Sequence, residues 1–380
     1  MMAFSVYPLA VLVMLAVAPS TAAYVNIITT PFPSFRHYRS AVIHRGLSLN
    51  GSCASSSRLH STSSSQGKTS HTIADKLQAR LLKSLRQISL RYDMLKPNDR
   101  IMVCVSGGKD SATLLHLLLH MQTKLQAIGT TFDVVAVHLN QMQPGYDGTA
   151  LVEWLESLGV EYRVVAEDTY SIVTEKTQEG KAYCSLCSRL RRGILYSIAH
   201  EMNCNQIALG HHGDDAIETL LLNMIHGGNM KGMPARYYSE SRDVHVIRPL
   251  IACVESDIAQ FAKEMKFPIL PCNLCGSQED LHRGKAKLLV DAMESMNSNA
   301  RKNVISALGN VKPTHLLDEQ LRKACGLDGV TGSVVDEERA LLIGEKKFND
   351  ASLLVDTAGS GNGNETMIGH SATSFIESLL

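Results

Sequence analysis

The stretch IMVCVSGGKDSATLLHLLLH, residues 101–120, joins an apolar run to a leucine-rich helical pattern through Ser106-Gly107-Gly108-Lys109-Asp110-Ser111. Neither adjacent glycine carries a Cβ, so the backbone can turn tightly there and come close to a ligand. The helix that follows opens with unpaired N–H groups and a partial positive charge, which suits phosphate oxygens. Ser106 and Ser111 add hydroxyl donors, and Lys109 adds a cation. The spacing is neither GxxxxGK[ST] nor GxGxxG, so two familiar nucleotide loops are excluded.

Outward from this junction, strand and helix patterns alternate. Strands are expected at 101–105, 132–139, 161–166 and 206–210, with a further one within 244–250. Helices are expected at 111–127, 149–158, 188–202, 214–226 and 255–267. Apolar strands separated by helices of this length predict an α/β fold, a mostly parallel sheet flanked by helices on both faces. Before it, Ile73, Leu77, Leu81, Leu85 and Ile88 recur at helical spacing, ended by KPNDR. After it comes a basic helical segment from about Leu281 to Leu308 and, beyond Asp318, a tail of weak periodicity with a GSGNGNET run and at most short elements.

Two more clusters carry chemistry. ALGHHGDDAIETLLLNM, 208–224, sets His211, His212, Asp214 and Asp215 just past a strand and at the start of an apolar helix. Capping explains one carboxylate there. Asp215 and Glu218 fall three apart on one helical face, suited to Mg²⁺ or to organising nucleotide phosphates. The second cluster is a pair of CxxC motifs, Cys184/Cys187 and Cys272/Cys275, 85 residues apart. The first pair enters the basic helix SRLRRGILYSIAH, where thiolates gain from the helix dipole and nearby arginines. Four sulfurs admit tetrahedral zinc, a [4Fe–4S] cluster or a disulfide relay, and spacing alone leaves all three open.

The composition sets the outer bounds. Lys plus Arg and Asp plus Glu each number 37 in 380 residues, so the net charge is zero and bulk charge does not advertise a nucleic-acid partner. Contact with nucleic acid therefore needs local patches: Arg189, Arg191 and Arg192 beside the first cysteine pair, and His282, Arg283, Lys285 and Lys287 after the second. The first acidic residue is Asp75. Ahead of it, YPLAVLVMLAVAPSTAA at 7–23 has the form of a secretory signal, and the Ser- and Arg-rich 35–70 resembles an organelle transit peptide. A signal followed by a transit segment predicts a plastid address, with the mitochondrion as the alternative. Nine cysteines, four of them in close pairs within a large chain, suit metal or redox work in a reducing compartment better than a disulfide framework.

Taken in order, DRIMVCVSGGKDSATLL, YCSLCSRLRRGILY, ALGHHGDDAIETLLLNM, GGNMKGMPAR, HVIRPL, FPILPCNLCGSQEDLHR and NVKPTHLLD resemble the tRNA 2-thiocytidine biosynthesis family, the tRNA cytidine(32) 2-sulfurtransferases of the PP-loop ATP-pyrophosphatase superfamily. The resemblance covers roughly residues 73–318. It implies ATP cleaved between its α and β phosphates, with Ser106 to Ser111, Asp214 and Glu218 at the nucleotide. Lys109, Asp110 and Asp215 are then expected to carry the activation chemistry, with Mg²⁺. It also implies a [4Fe–4S] cluster on Cys184, Cys187 and Cys272, with Cys275 a further candidate. The substrate is then the tRNA anticodon loop, and a cysteine desulfurase or other sulfur donor and an electron donor are the expected partners. A homodimer is compatible with the sequence, although no interface stripe marks one, and no stable membrane association is expected of the mature chain. Family motifs commonly carry arginine where this chain has Gly213. The rival readings are a PP-loop thiolase of the wobble uridine and a tRNA-lysidine synthetase; a zinc-stabilised RNA-binding module with a degenerate loop is the alternative from another class. The domain reading is a signal-like segment 1–23, a transit-like or disordered segment 24–72, an N-terminal helix 73–98, a PP-loop domain 99–318 with two CxxC arms, and a variable tail 319–380.

Overall fold

Ile101, Met102 and Val103 expose no surface, the condition of a strand covered on both faces. They lie in β2 (Arg100–Cys104), the middle strand of a seven-stranded sheet. The computed structural model describes residues 42–44, 72–177, 184–270, 280–336 and 338–339. The remaining strands are β1 (Val42–His44), β3 (Asp133–Asn140), β4 (Glu161–Ala166), β5 (Gln206–Ala208), β6 (Arg236–Ser239) and β7 (Val244–Ile247). Their order across the sheet is β1-β4-β3-β2-β5-β7-β6. The five inner strands are parallel, while β1 and β6 add antiparallel edges. This is the expected α/β fold with a mostly parallel sheet.

The helices are α1 (Ile73–Arg91), α2 (Lys109–Gln126), α3 (Thr149–Ser157), α4 (Thr169–Lys176), α5 (Cys184–Glu201), α6 (Gly213–Gly227), α7 (Glu255–Glu264), α8 (Asp280–Met296), α9 (Ala300–Leu308) and α10 (Glu319–Ala324). Side-chain alternation along the strands sorts the core into two layers. Ile101, Val103, Val134, Ala136, Ala208 and Ile247 face a layer with α1, α2, α3 and α7. Met102, Val135, Val137, Ile207 and Val246 face a second layer with Ile198 and Ala199 of α5. α2 is buried almost all round, from Ala112 through Leu114, Leu115, Leu117 and Leu118 to Leu125, because the sheet lies on one side and α1 and α7 on the other.

α1 starts at a capping box, in which Thr72 and Asp75 exchange side-chain-to-backbone bonds. Its Leu77, Leu81 and Leu85 enter the α2 layer, whereas Ile73 stays on the surface. The helix set apart in the sequence as 73–98 therefore shares the core of the domain that follows. The basic segment expected near 281–308 is two helices, α8 and α9, parted at Asn297 to Asn299. β6, α4 and the edge strand β1 have no counterpart in the sequence reading. β1 lies inside the transit-like segment and pairs Val42 with Val164 and His44 with Tyr162. The signal-like segment, the rest of 24–71, Cys272 and Cys275, and the GSGNGNET run lie outside the described residues. No helix among the described residues is long and apolar enough to cross a membrane.

β2 leads through α2 to β3 on one side, while β5 lies on the other side of β2. Strand order thus reverses at β2 and β5. A crevice opens beyond their carboxyl ends, the usual ligand position in an open parallel sheet.

Candidate active site

The crevice floor is the loop of residues 106–111. Gly107 has φ +85°, a left-handed conformation that a side chain would strain, and a Cβ there would also strike Leu270. Leu270 donates its N–H to the Gly107 carbonyl at 2.9 Å, so the segment before the second cysteine pair is tied to the loop. Ser111 donates its hydroxyl to the Gly108 carbonyl at 3.0 Å and accepts the Ser106 N–H at 3.1 Å. These bonds fold the loop over the first turn of α2, whose cap, Gly108, supplies no side chain to its N–H groups. The donors stay available to an anion. Gly210, at the end of β5, approaches the same turn so closely that a Cβ would sit 2.9 Å from Ser111 N.

Lys109 does not stand alone. Its Nζ lies 3.0 Å from Asp110 Oδ1 and 3.1 Å from Glu255 Oε1, and Glu255 Oε2 lies 3.0 Å from Lys287 Nζ. Burial works against the charge on Lys109, but Asp110 and Glu255 outweigh it and raise its pKa. Burial likewise works to raise Glu255, yet Lys287 and Lys109 hold it down to about 2. α7 begins at Glu255, and the cap residue Val254 has no side-chain oxygen to offer.

The two adjacent aspartates have separate tasks. Asp214 is buried; it accepts the Glu255 N–H at 2.8 Å and pairs with Arg301 Nε of α9 at 2.9 Å. It thereby supplies the missing cap of α7 and ties α6, α7 and α9 together. Asp215 accepts the His212 N–H at 2.9 Å and lines the crevice. Glu218 has its pKa raised by burial and by the Asp215 charge. The His212 ring is buried against three carboxylates, its Nε2 3.5 Å from Asp215 and 3.6 Å from Asp110, with Asp214 3.9 Å from Nδ1.

The crevice measures about 250 Å³ and is lined by Ser106, Asp110, Ser111, Gly210, His211 and Asp215 on the loop side. Gln141, Arg191 and Cys104 line it as well. Burial pushes the Cys104 thiol up to about 12, which keeps it neutral. α5 carries Cys187 to the rim, where its thiol donates to Gln141 Oε1 at 3.1 Å. Arg191 follows Cys187 by four residues on the same helix, hence on the same face.

The structure therefore brings Ser106, Asp110, Ser111 and Asp215 together on one crevice, with Gly107, Gly108 and Lys109 in its loop and Cys187 at its rim. Asp214 and Glu218 do not line it. Only the backbone of Cys184 is described, one helical turn from Cys187. Among the described residues no grouping of three or more His, Cys, Asp or Glu is placed to hold a metal ion. Of the basic candidates, Arg189, Arg192, His282, Arg283 and Lys285 are exposed on α5 and α8, while Lys287 is paired to Glu255. The sequence reading passed over Glu255, Arg301, Gln141 and the partnership of His211 with Arg248. Each is recruited across long chain separations, and no local pattern marks it.

A mostly parallel sheet with a glycine turn on a helix N-terminus at the switch point is the frame of a nucleotide-binding α/β domain. A family model described as a PP-loop domain matches residues 73–270. The tRNA-cytidine(32) 2-sulfurtransferase of Sorangium cellulosum is 48% identical over 69% of this chain and 92% of its own length. That of Haemophilus influenzae is 46% identical over 70% of this chain and 87% of its own. A solved structure of the U34-tRNA thiolase NcsA from Methanococcus maripaludis with its [4Fe–4S] cluster shares the fold, with TM-score 0.51 and 24% identity over 63% of this chain and 81% of that one. The chain belongs to the tRNA-cytidine(32) 2-sulfurtransferase family of PP-loop proteins.

Proposed function

We propose that the chain uses ATP to adenylate the C2 oxygen of a cytidine in the tRNA anticodon loop, cytidine 32, and replaces that oxygen by sulfur to give 2-thiocytidine. One observation carries the proposal. The phosphate-type loop and the helix bearing Cys187 border a single crevice, with Gln141 contacting the thiol and lining the cavity. A sulfur arm and an activating arm must meet in that way for the two half-reactions to share one base.

The oxygen at C2 leaves poorly, and transfer of AMP to it creates a better leaving group while releasing pyrophosphate. The N–H groups of the α2 first turn, Ser106, Ser111 and Lys109 are the donors for the departing phosphates. Mg²⁺ keeps several waters and needs only one or two carboxylates besides substrate phosphates, so Asp110 and Asp215 on the crevice wall are a sufficient protein share. One described thiol, Cys187, stands at the rim, and the Cys184 backbone lies one turn away on the same helix, a spacing compatible with two ligands to one cluster. Cys184, Cys187 and Cys272 would hold it, with Cys275 in reserve. A [4Fe–4S] cluster on three thiolates supplies an open iron site for the sulfur to be transferred. Arg189, Arg192, Arg283 and Lys285 present cations to the tRNA backbone on both sides of the sulfur arm. Sulfur and electrons come from separate proteins, a cysteine desulfurase or equivalent donor and a reductant. Residues 1–72 serve as a plastid address, or a mitochondrial one, which a fluorescent fusion tests.

The deciding experiment is anaerobic incubation of cluster-loaded protein with ATP, Mg²⁺, reductant, sulfide and unmodified tRNA, followed by nucleoside mass spectrometry. 2-Thiocytidine that depends on both ATP and cluster is the expected product. Thiouridine would move the acceptor to the wobble base. Pyrophosphate release without any thionucleoside would refute the sulfur step.

A further inference from the structure

His211 lies on the crevice wall between Gly210 and the acidic turn, and its ring faces an unusual neighbour. Arg248, just past the end of β7, donates its Nε–H to His211 Nδ1 at 3.3 Å. Arg248 is buried and firmly held: its Nη1 donates to the Pro234 carbonyl at 2.7 Å, and its guanidinium lies 5.5 Å from the centre of the Tyr237 ring. A guanidinium has only donors and keeps its proton under all ordinary conditions. The Nδ1 atom it faces must therefore carry a lone pair, and in a neutral imidazole the hydrogen then sits on Nε2.

We infer that His211 is a fixed, uncharged hydrogen-bond donor to an anionic oxygen of the bound nucleotide, and that Arg248 is the positioning residue that sets its Nε2–H tautomer. The inference rests on the reading of the crevice as the nucleotide site and adds a residue and a protonation state to it. Burial and the Arg248 charge push His211 down to about 4, in keeping with a neutral ring. Asp215, Arg283 and the titratable ring of His212 also act on it. A neutral donor is useful in this crevice. Lys109 already supplies positive charge and a bound Mg²⁺ would add to it, whereas an imidazolium would compete with that ion for Asp215. A neutral N–H contributes direction without that competition.

The test uses the full chain at pH 7. Long-range ¹H–¹⁵N spectra of wild-type protein should show His211 as a single tautomer, pyridine-type at Nδ1 and pyrrole-type at Nε2. Arg248→Met should return the ring to a mixture of tautomers. His211→Phe should weaken ATP turnover roughly tenfold to hundredfold, as expected for loss of a hydrogen bond to a charged group. His211→Gln, whose amide N–H reaches close to the position of Nε2, should recover part of that loss. A wild-type His211 protonated on Nδ1 would overturn the inference, even if the Arg248 variant did not fold. So would a folded His211→Phe protein with unchanged kcat and KM for ATP. Wild-type protein that failed to bind ATP would instead overturn the nucleotide reading on which the inference stands.

Discussion

Gly210→Ala and Gly193→Ala are the same chemical change, and the structure gives them opposite signs. At Gly210 the new methyl would lie 2.9 Å from Ser111 N, 3.0 Å from the Asp110 carbonyl carbon and 3.1 Å from Ser111 Cα. Favourable contacts between carbons fall near 3.5–4.0 Å, so each of these is short by about half an ångström. All three atoms are backbone, in a helix whose Leu114 and Leu115 expose no surface, and no flexible side chain can move aside. Overpacking of this kind costs roughly 1–3 kcal/mol. At about 2–4 °C per kcal/mol, the melting temperature should fall by about 2–12 °C. Relief of the clash displaces Ser111 N, so the KM for ATP should rise as well. Gly193, inside α5, has nothing within 4 Å of its Cβ position. Alanine there should stabilise by about 0.5–1 kcal/mol through the lost freedom of the unfolded chain. Thermal unfolding of both variants beside wild type reads the comparison. Equal shifts in one direction, or an unaffected Gly210→Ala, would refute the argument that the β5 end sets the position of the phosphate loop.

Lys109→Ala should reduce ATP-dependent pyrophosphate release by roughly a hundredfold or more while cluster absorbance persists; loss of the cluster alone would count against the phosphate role. Cys187→Ala should lose iron and thiolation and keep ATP binding, read by iron analysis and equilibrium nucleotide titration. Glu255 titrates at about 2 when folded against an ordinary 4.5, so the unfolded chain binds more protons between these values. Its contribution is complete above about pH 4.5 and is lost as pH falls toward 2. The stability difference between wild type and Glu255→Gln in urea should therefore shrink across that window, and a difference that stayed constant would exclude the ion pairs as its source. Removal of residues 1–72 should preserve thiolation in vitro and cost some stability, because it deletes β1 from the sheet edge and the Thr72 cap of α1; a folded, cluster-loaded but inactive truncation would show that the segment serves more than addressing.

Much of this architecture was legible because local and global demands agree. IMVCV is apolar without alternation, which only a strand covered on both faces tolerates, and it became β2. The helices on either side were bounded by glycine and by polar turns, and 111–127 shifted by only two residues at its start. β6 escaped because Arg236 to Ser239 has no apolar pattern and is held by pairing to β7. The break between α8 and α9 fell in a polar stretch that carries no proline. For the site, the loop and its neighbouring acids could be read from spacing. The division of labour between Asp214 and Asp215 could not, since it depends on Glu255 and Arg301 arriving from distant segments. Gly213, where relatives' motifs suggested arginine, has its own packing reason: a Cβ there would meet Ile305 and the Cys253 carbonyl.

The chain of contacts from Lys109 through Glu255 to Lys287 also bears on how the site responds to salt. An isolated lysine in a phosphate loop would meet its ligand as a bare cation, and rising ionic strength would steadily weaken the encounter. Here the ammonium is already matched by protein carboxylates. If this lysine takes a nucleotide phosphate, as proposed, capture would be an exchange of one anion for another, in which the gain on phosphate would be offset by the loss of Glu255. Such an exchange leaves little net charge for dissolved ions to screen. Glu255, released from one lysine, would still hold the other, so on the proposed reading α8 would meet the arrival of ATP as a redistribution of charge at Lys287.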